Sequence, residues 1–412
     1  MDEDNIETYT DSRACFLKFV GKMQEQTHRE KNLSERQILK KQKKLGGNEM
    51  NLTDSKAKLA VGGALCGVVA VLLAIFGNPG NMAICIACFI RDTAGALGMH
   101  QAAVVQYARP EIIGIVLGAF IISVVTKEYR STAGSSPMIR FVLGIIIMIG
   151  ALLFLGCPLR MVLRMAAGDL NAYVGLIGFV AGIATGIVAL KQGFSLGRAH
   201  ETNKMNGAVL PVLMLGILVM ILMGSSLLIA SEKGPGSMHA PVWLALIGGI
   251  VFGALAQKTR MCFAGSIRDI MLMKNFDLFS VIAALFGVML IYNIATGNFH
   301  LSFSGQPVAH AQHLWNILGM YIVGLAATLA GGCPLRQLVL AGQGSSDAAV
   351  TVAGMFVGSA LCHNLKLASA AAAAATAETE AVVGGPAIQG KIAGVICIVV
   401  LLIIAFAGNK RK

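Results

Sequence analysis

The sequence predicts an all-α polytopic membrane protein made of two inverted repeats of about five transmembrane helices, each repeat carrying two short re-entrant half-helices. Three observations carry this reading. Apolar residues make up 56% of the 412-residue chain and charged residues only 13%, where a soluble protein carries about 25% charged residues. Apolar runs long enough to cross a bilayer as helices recur from Lys58 onward. Two separate motifs return in the second half at nearly the same offset, the mark of an internal duplication.

Residues 1–57 are a different material, charged and mixed in sign, without the apolar core of a signal peptide. By composition alone they read as a disordered cytoplasmic tail, or as an upstream extension with the true start at Met50, since Gly46-Gly47 precede that methionine closely. Ten full spans follow, at 58–77, 110–126, 139–155, 171–190, 207–230, 241–257, 278–296, 314–331, 348–366 and 391–408. Four pieces too short to span lie between them, at 82–97, 158–168, 262–273 and 334–343. The first repeat is 58–230 and the second 241–408, with a basic tail at 409–412. The 48 glycines point to closely packed helices.

The net charge of +12 is no nucleic-acid signal, because the basic residues sit mainly at the ends of apolar runs. That placement sets orientation. With the N-terminus in the cytoplasm, the loops holding Lys127, Arg130 and Arg140 and those holding Lys191, Arg198 and Lys204 fall inside, as does Lys410-Arg411-Lys412. The loop from Gly297 to His313, free of lysine and arginine, falls outside. Both termini are therefore expected in the cytoplasm.

The repeated motifs are Ile84-Cys85-Ile86-Ala87-Cys88-Phe89-Ile90-Arg91-Asp92 against Met261-Cys262-Phe263-Ala264-Gly265-Ser266-Ile267-Arg268-Asp269, offset by 177 residues, and Gly156-Cys157-Pro158-Leu159-Arg160 against Gly332-Cys333-Pro334-Leu335-Arg336, offset by 176. Five spans per repeat is an odd number, so the second copy enters the membrane inverted. Transporters with this plan hold their site at the midplane between broken helices. Proline suits the first turn of a helix, so short helices are expected to start at Pro158 and Pro334, with Cys157 and Cys333 at their N-caps. Free backbone N–H groups and the positive end of the dipole then face the sulfur, a setting that attracts anions. Arg160 and Arg336 add charge. The Cys85 and Cys262 pieces are expected to complete a ring, giving a sulfur-lined, electropositive constriction for a small anion. Arg91-Asp92 and Arg268-Asp269, adjacent in sequence, do not share a helix face, so each charge is expected to pair with a neighbouring span, with contact to the substrate as the alternative. Arg164 and Asp169 are expected at the rim. Cys66, Cys362 and Cys397 sit mid-span and read as packing.

Together these four motifs resemble the YeeE/YedE family of bacterial inner-membrane proteins, from about Lys58 to the C-terminus, and most closely its YedE branch, to which selenium transport is assigned. The resemblance implies movement of a sulfur- or selenium-containing anion, thiosulfate above all, along a narrow path lined by cysteines, here Cys85, Cys157, Cys262 and Cys333. It also implies a small cytosolic partner of the TusA sulfurtransferase type. No metal, cofactor or nucleic acid enters this reading. Cys88 departs from the pattern, since Gly265 stands at its counterpart. It leaves open a second class, a membrane thiol oxidoreductase built on Cys85 and Cys88. A third class is a membrane anchor for a sulfur-relay protein that transports nothing.

Overall fold

The computed structural model describes residues 52–373 and 382–407. Met50, nearly all of the N-terminal tail and the 409–412 tail lie outside the described residues. The chain divides into Met1–Ser55 and Lys56–Lys412, and the membrane architecture belongs to the second unit.

All ten expected spans and all four short pieces are helices. In the first half they are α1 (Leu52–Ile75), α2 (Ile86–Ala96), α3 (Pro110–Val125), α4 (Pro137–Phe154), α5 (Pro158–Ala166), α6 (Leu170–Lys191) and α7 (Lys204–Leu222). In the second half they are α8 (Val242–Lys258), α9 (Phe263–Met273), α10 (Asp277–Ala295), α11 (His313–Ala330), α12 (Pro334–Gly342), α13 (Ser346–Asn364) and α14 (Ile388–Phe406). One boundary differs clearly from expectation. α7 stops at Leu222 instead of near residue 230, because Gly224 takes φ +60° and turns the chain out of the helix. Among the described residues, eight helical stretches are long and apolar enough to cross a membrane, so the protein is a multi-pass membrane protein. α3 is a shorter apolar helix of 16 residues. α13 is long enough at 19 residues, but Ser346, Asp347, Thr351, Ser359 and His363 dilute its apolarity.

The connections sort into two sets. In one, Arg109 reaches the carbonyls of Pro235 and Met238, Asn81 reaches Gln306, and His300 N–H donates to Ala167. In the other, β1 (Thr132–Ala133) pairs antiparallel with β2 (His200–Glu201), Arg130 N–H donates to Gln343, and Lys258 meets Glu128 at 3.5 Å. Both ends of α2 and of α5 meet the first set, while both ends of α9 and of α12 meet the second. The short helices thus leave the protein interior by the side from which they entered it.

Helices approach closely wherever glycine removes the side chain. On α3, a Cβ at Gly114 or Gly118 would lie 2.6 Å or 2.1 Å from a carbonyl oxygen of α8; on α8, one at Gly249 or Gly253 would lie 2.5 Å or 2.2 Å from a carbonyl of α3. This is the reciprocal small-xxx-small contact of membrane helices. Gly63 and Gly67 bring α1 against α10 in the same manner, Gly178 and Gly182 bring α6 against α11, and Gly144 and Gly354 bring α4 against α13. α4 and α11 meet at Gly150 and Gly319 between them.

Gly118→Leu is expected to push α3 off α8 and lower stability by about 1–3 kcal/mol or more, the cost of overpacking. Gly287→Ala, at a position where a Cβ meets nothing within 4 Å, is the matched control. Thermal unfolding in detergent checks both, and an unchanged midpoint for Gly118→Leu would count against the close contact.

Candidate functional site

Each short helix begins with a cysteine at its N-cap: Cys85 for α2, Cys157 for α5, Cys262 for α9 and Cys333 for α12. A residue with positive φ stands two positions before every one of them: Ala83 (38°), Leu155 (62°), Arg260 (53°) and Gly331 (83°). That left-handed residue breaks the chain from what precedes it, and only one of the four is glycine. The other three carry the steric cost of a Cβ in this region, of order 1 kcal/mol each.

The cysteines then meet in pairs within each half. The Cys85 and Cys157 sulfurs are 3.9 Å apart, and the Cys262 and Cys333 thiols contact each other. Backbone donors converge on the sulfurs. Cys85 Sγ accepts from Cys88 N–H at 3.4 Å and Cys262 Sγ from Gly265 N–H at 3.2 Å. N–H groups of Ala87 and Arg160 face Cys157, and those of Phe263 and Arg336 face Cys333. Every pair is therefore two helix N-termini aimed at one another across two thiols, and all four cysteines are buried. α5 also packs on α9 and α2 on α12, so the short helices of one half touch those of the other.

A profile of the sulphur transport family matches residues 14–185 and 258–412. The chain belongs to the sulphur transport family. Membership bears out the YeeE/YedE resemblance and places the chain among transport proteins rather than enzymes. The match starts at residue 14, upstream of Lys58 where the motifs alone placed the start of the resemblance. Curated relatives include thiosulfate transporter TsuA of Spirochaeta thermophila, 29% identical over 108 residues, which are 26% of this chain and 32% of the relative. Thiosulfate transporter TsuA of Escherichia coli is 31% identical over 110 residues, 26% of this chain and 30% of that protein. The alignments span about a third of the length of these relatives.

The arginines of this family member differ from expectation. Arg91 and Asp92 pair with each other, Nε and Nη2 of Arg91 reaching Oδ1 of Asp92 at 2.9 and 2.6 Å. Arg268 and Asp269 do the same at 3.1 and 3.0 Å. The helix face rule is overridden because an arginine chain is long enough to curl back to its neighbour. The expected tie to a neighbouring span exists in the first half only: Arg109, just before α3, holds the other oxygen of Asp92 at 2.9 Å and stacks over Phe89 and Tyr107. Sequence reading missed Arg109. Its one signal was an arginine directly before the proline that opens a span.

Arg164 and Asp169 are no rim residues. Both are fully buried, bonded at 2.6 Å, with Arg164 over the Phe154 ring and Asp169 capping α6 through Asn171 N–H. Arg160 is also fully buried, and its guanidinium is taken up by the carbonyls of Asn81, Leu155 and Val308, with Cys88 Sγ at 3.6 Å. It ties the loop ahead of α2 to the loop ahead of α11. Arg336, half-buried, reaches among the described residues only Gln257, at 3.4 Å. Gly156 and Gly332 are needed for clearance, since a Cβ there would lie 2.9 and 2.8 Å from the stems of Arg160 and Arg336. Pro158 and Pro334 occupy the first helical turn as expected. A cavity of about 390 Å³, lined by Asn81, Ala83, Asn298, His300 and Gln306, lies over the first half's short helices.

Breaking the buried first-half network should cost far more than breaking its counterpart. Asp92→Asn leaves Arg91 and Arg109 without a counter-charge and is expected to lose about 3–5 kcal/mol. Asp269→Asn, at a partly open pair, is expected to lose about 1 kcal/mol or less. Comparing unfolding midpoints of the two variants checks this, and equal losses would contradict it.

Proposed function

We propose that the protein carries a small sulfur- or selenium-containing anion across the bacterial inner membrane through its two thiol pairs. The observation that supports this is the arrangement of Cys85 with Cys157 and of Cys262 with Cys333, each pair at facing helix N-termini. An anion entering from the cavity lined by Asn81 and His300 meets S–H donors backed by two helix dipoles, which offset its charge without fixing it in a salt bridge. The second pair repeats the facing helix ends and thiols, so the ion passes from thiol to thiol. The helices themselves need no large displacement. Thiosulfate is the leading substrate, because both curated relatives are thiosulfate transporters; selenium follows from the likeness to the YedE branch. Release on the cytoplasmic side to a TusA-like acceptor completes the reading.

The repeats 58–230 and 241–408 are taken as inverted. Supporting this, α2 and α5 return to one set of connections, while their counterparts α9 and α12 return to the other. With the lysine- and arginine-rich loops inside, the set containing Gly305 faces the periplasm and both termini face the cytoplasm. A cysteine introduced at Gly305, whose surroundings are open, is expected to be labelled by an impermeant maleimide from the periplasm. Labelling only after the cytoplasmic side is exposed would overturn this topology.

Uptake of labelled thiosulfate, selenite and selenide into proteoliposomes, side by side, tests the function. Cys85→Ser, Cys157→Ser, Cys262→Ser and Cys333→Ser are each expected to cut the rate by about tenfold, a loss of roughly 1.4 kcal/mol at the constriction. Cys66→Ser, Cys362→Ser and Cys397→Ser should leave the rate per folded molecule near wild type. Wild-type rates in all seven would remove the thiol path. Cys88→Ser separates the oxidoreductase reading: a dithiol built on Cys85 and Cys88 needs both sulfurs, whereas the relay uses Cys157 as the neighbour of Cys85. Arg336→Ala is the cleaner probe of electrostatic attraction, because Arg160→Ala also removes a brace between loops.

A further inference from the structure

The two halves pair their helices in the same way up to the fifth span, where they part. α7, the fifth span of the first half, packs on α3, α12 and α13. It buries Leu210, Met214 and Leu218 in that seam, three side chains one turn apart on a single face. The equivalent seam of the second half lies between α10, α5 and α6, beside α9. α14, the fifth span there, does not cover it; α14 packs on α4 and α11 and touches only the edge of α6.

The uncovered seam holds an apolar cavity of about 270 Å³, walled by Met165, Leu176, Phe179, Ile267, Phe279 and Ala283. Its residues are more open than their counterparts. Met165, Leu176 and Ile267 are half-buried, whereas Ala341, Val352 and Ile90, which occupy the matching positions, are buried. Every residue of α2 is buried, but burial in α9 ends at Ser266. The vacancy thus has the shape and chemistry of a missing helix face.

α14 is the helix that corresponds to α7, and it carries an unused stripe. Ile388, Ile392, Val395, Ile396, Val399 and Ile403 are exposed, at spacings of three and four that keep them on one side of the helix. Its contact with α6 places it beside the groove but facing away from it. We infer that the protein forms a homodimer in the membrane in which α14 of each copy lies in the α5–α6–α9–α10 groove of the other, taking the place that α7 takes in the first half. Reciprocal docking of the same surfaces is the isologous contact of a twofold dimer.

Cysteine cross-linking in native membranes tests this. Two differently tagged copies are co-expressed, one carrying Phe279→Cys on the groove rim and the other Ile396→Cys on the α14 stripe. The eight cysteines among the described residues are all buried, so the wild-type chain supplies a low background. Treatment with copper phenanthroline is expected to join the two tags in one band of doubled mass, absent when either substitution is missing. Ala283→Trp, which fills the cavity, is expected to abolish that band. The mass of the otherwise wild-type protein in lipid nanodiscs, which does not depend on any variant folding, is expected to be that of two copies. A single-copy mass with no cross-link, leaving lipid as the occupant of the groove, overturns the proposal. So does a groove that cross-links only to a different protein.

Discussion

The need to satisfy helix N-termini inside an apolar protein governs this structure. A helix that starts in the interior exposes backbone N–H groups that no water reaches. Four helices do so here, and each solves the problem with sulfur and with a second N-terminus nearby. Thiol sulfur is a weak acceptor, so the donors around Cys157 and Cys333 are held less firmly than an oxygen cap would hold them. An interior lined by under-used donors is suited to an anion that passes, because a firmly satisfied end has nothing to offer a guest. The left-handed residues at Ala83, Leu155 and Arg260 are the conformational cost of bringing those ends together.

The buried charged residues of the first half brace this geometry. In the first half, Asp92 joins Arg91 and Arg109, and Arg109 extends the tie to the loop at Pro235 and Met238. Arg164 with Asp169 and Arg160 with four carbonyls complete a set of buried clamps around α2 and α5. Among the described residues the second half has no equally closed set: Arg268 and Asp269 are partly open, and Arg336 has a single long contact with Gln257. Duplicated sequence has therefore produced one locked half and one looser half. The difference coincides with the divergent placement of α7 and α14.

The sequence made the helices legible because apolar length, proline and glycine are local signals. The starts of α5 and α12 at Pro158 and Pro334 needed nothing more. Contacts distant along the chain were not legible. Arg109 pairs with Asp92 across 17 residues, and no local pattern marks it. The ring of four cysteines was drawn from symmetry alone, but the thiol contacts fall within halves, because each half folds its own two short helices together. The self-pairing of Arg91 with Asp92 shows the limit of a helical-wheel rule: it places Cβ atoms, and a long side chain is free to leave its wheel position when burial makes an unpaired ion costly.

The fate of Arg160 bears on how a site of this kind keeps an anion moving. A guanidinium free beside Cys157 would form a bidentate, charge-assisted contact with any oxyanion, and in a low-dielectric interior that contact would be strong enough to retain it. Tying Arg160 to carbonyls spends its donors on the protein while leaving its positive charge near the thiols. The field remains and the tight ligand is removed. Selective passage needs binding favourable enough to enter and weak enough to leave, and on the proposed thiol path helix dipoles with a screened arginine would supply that balance. Arg336, whose one side-chain hydrogen bond among the described residues is to Gln257, retains more of its donors, so on the proposed path the second pair would give the firmer electrostatic hold of the two.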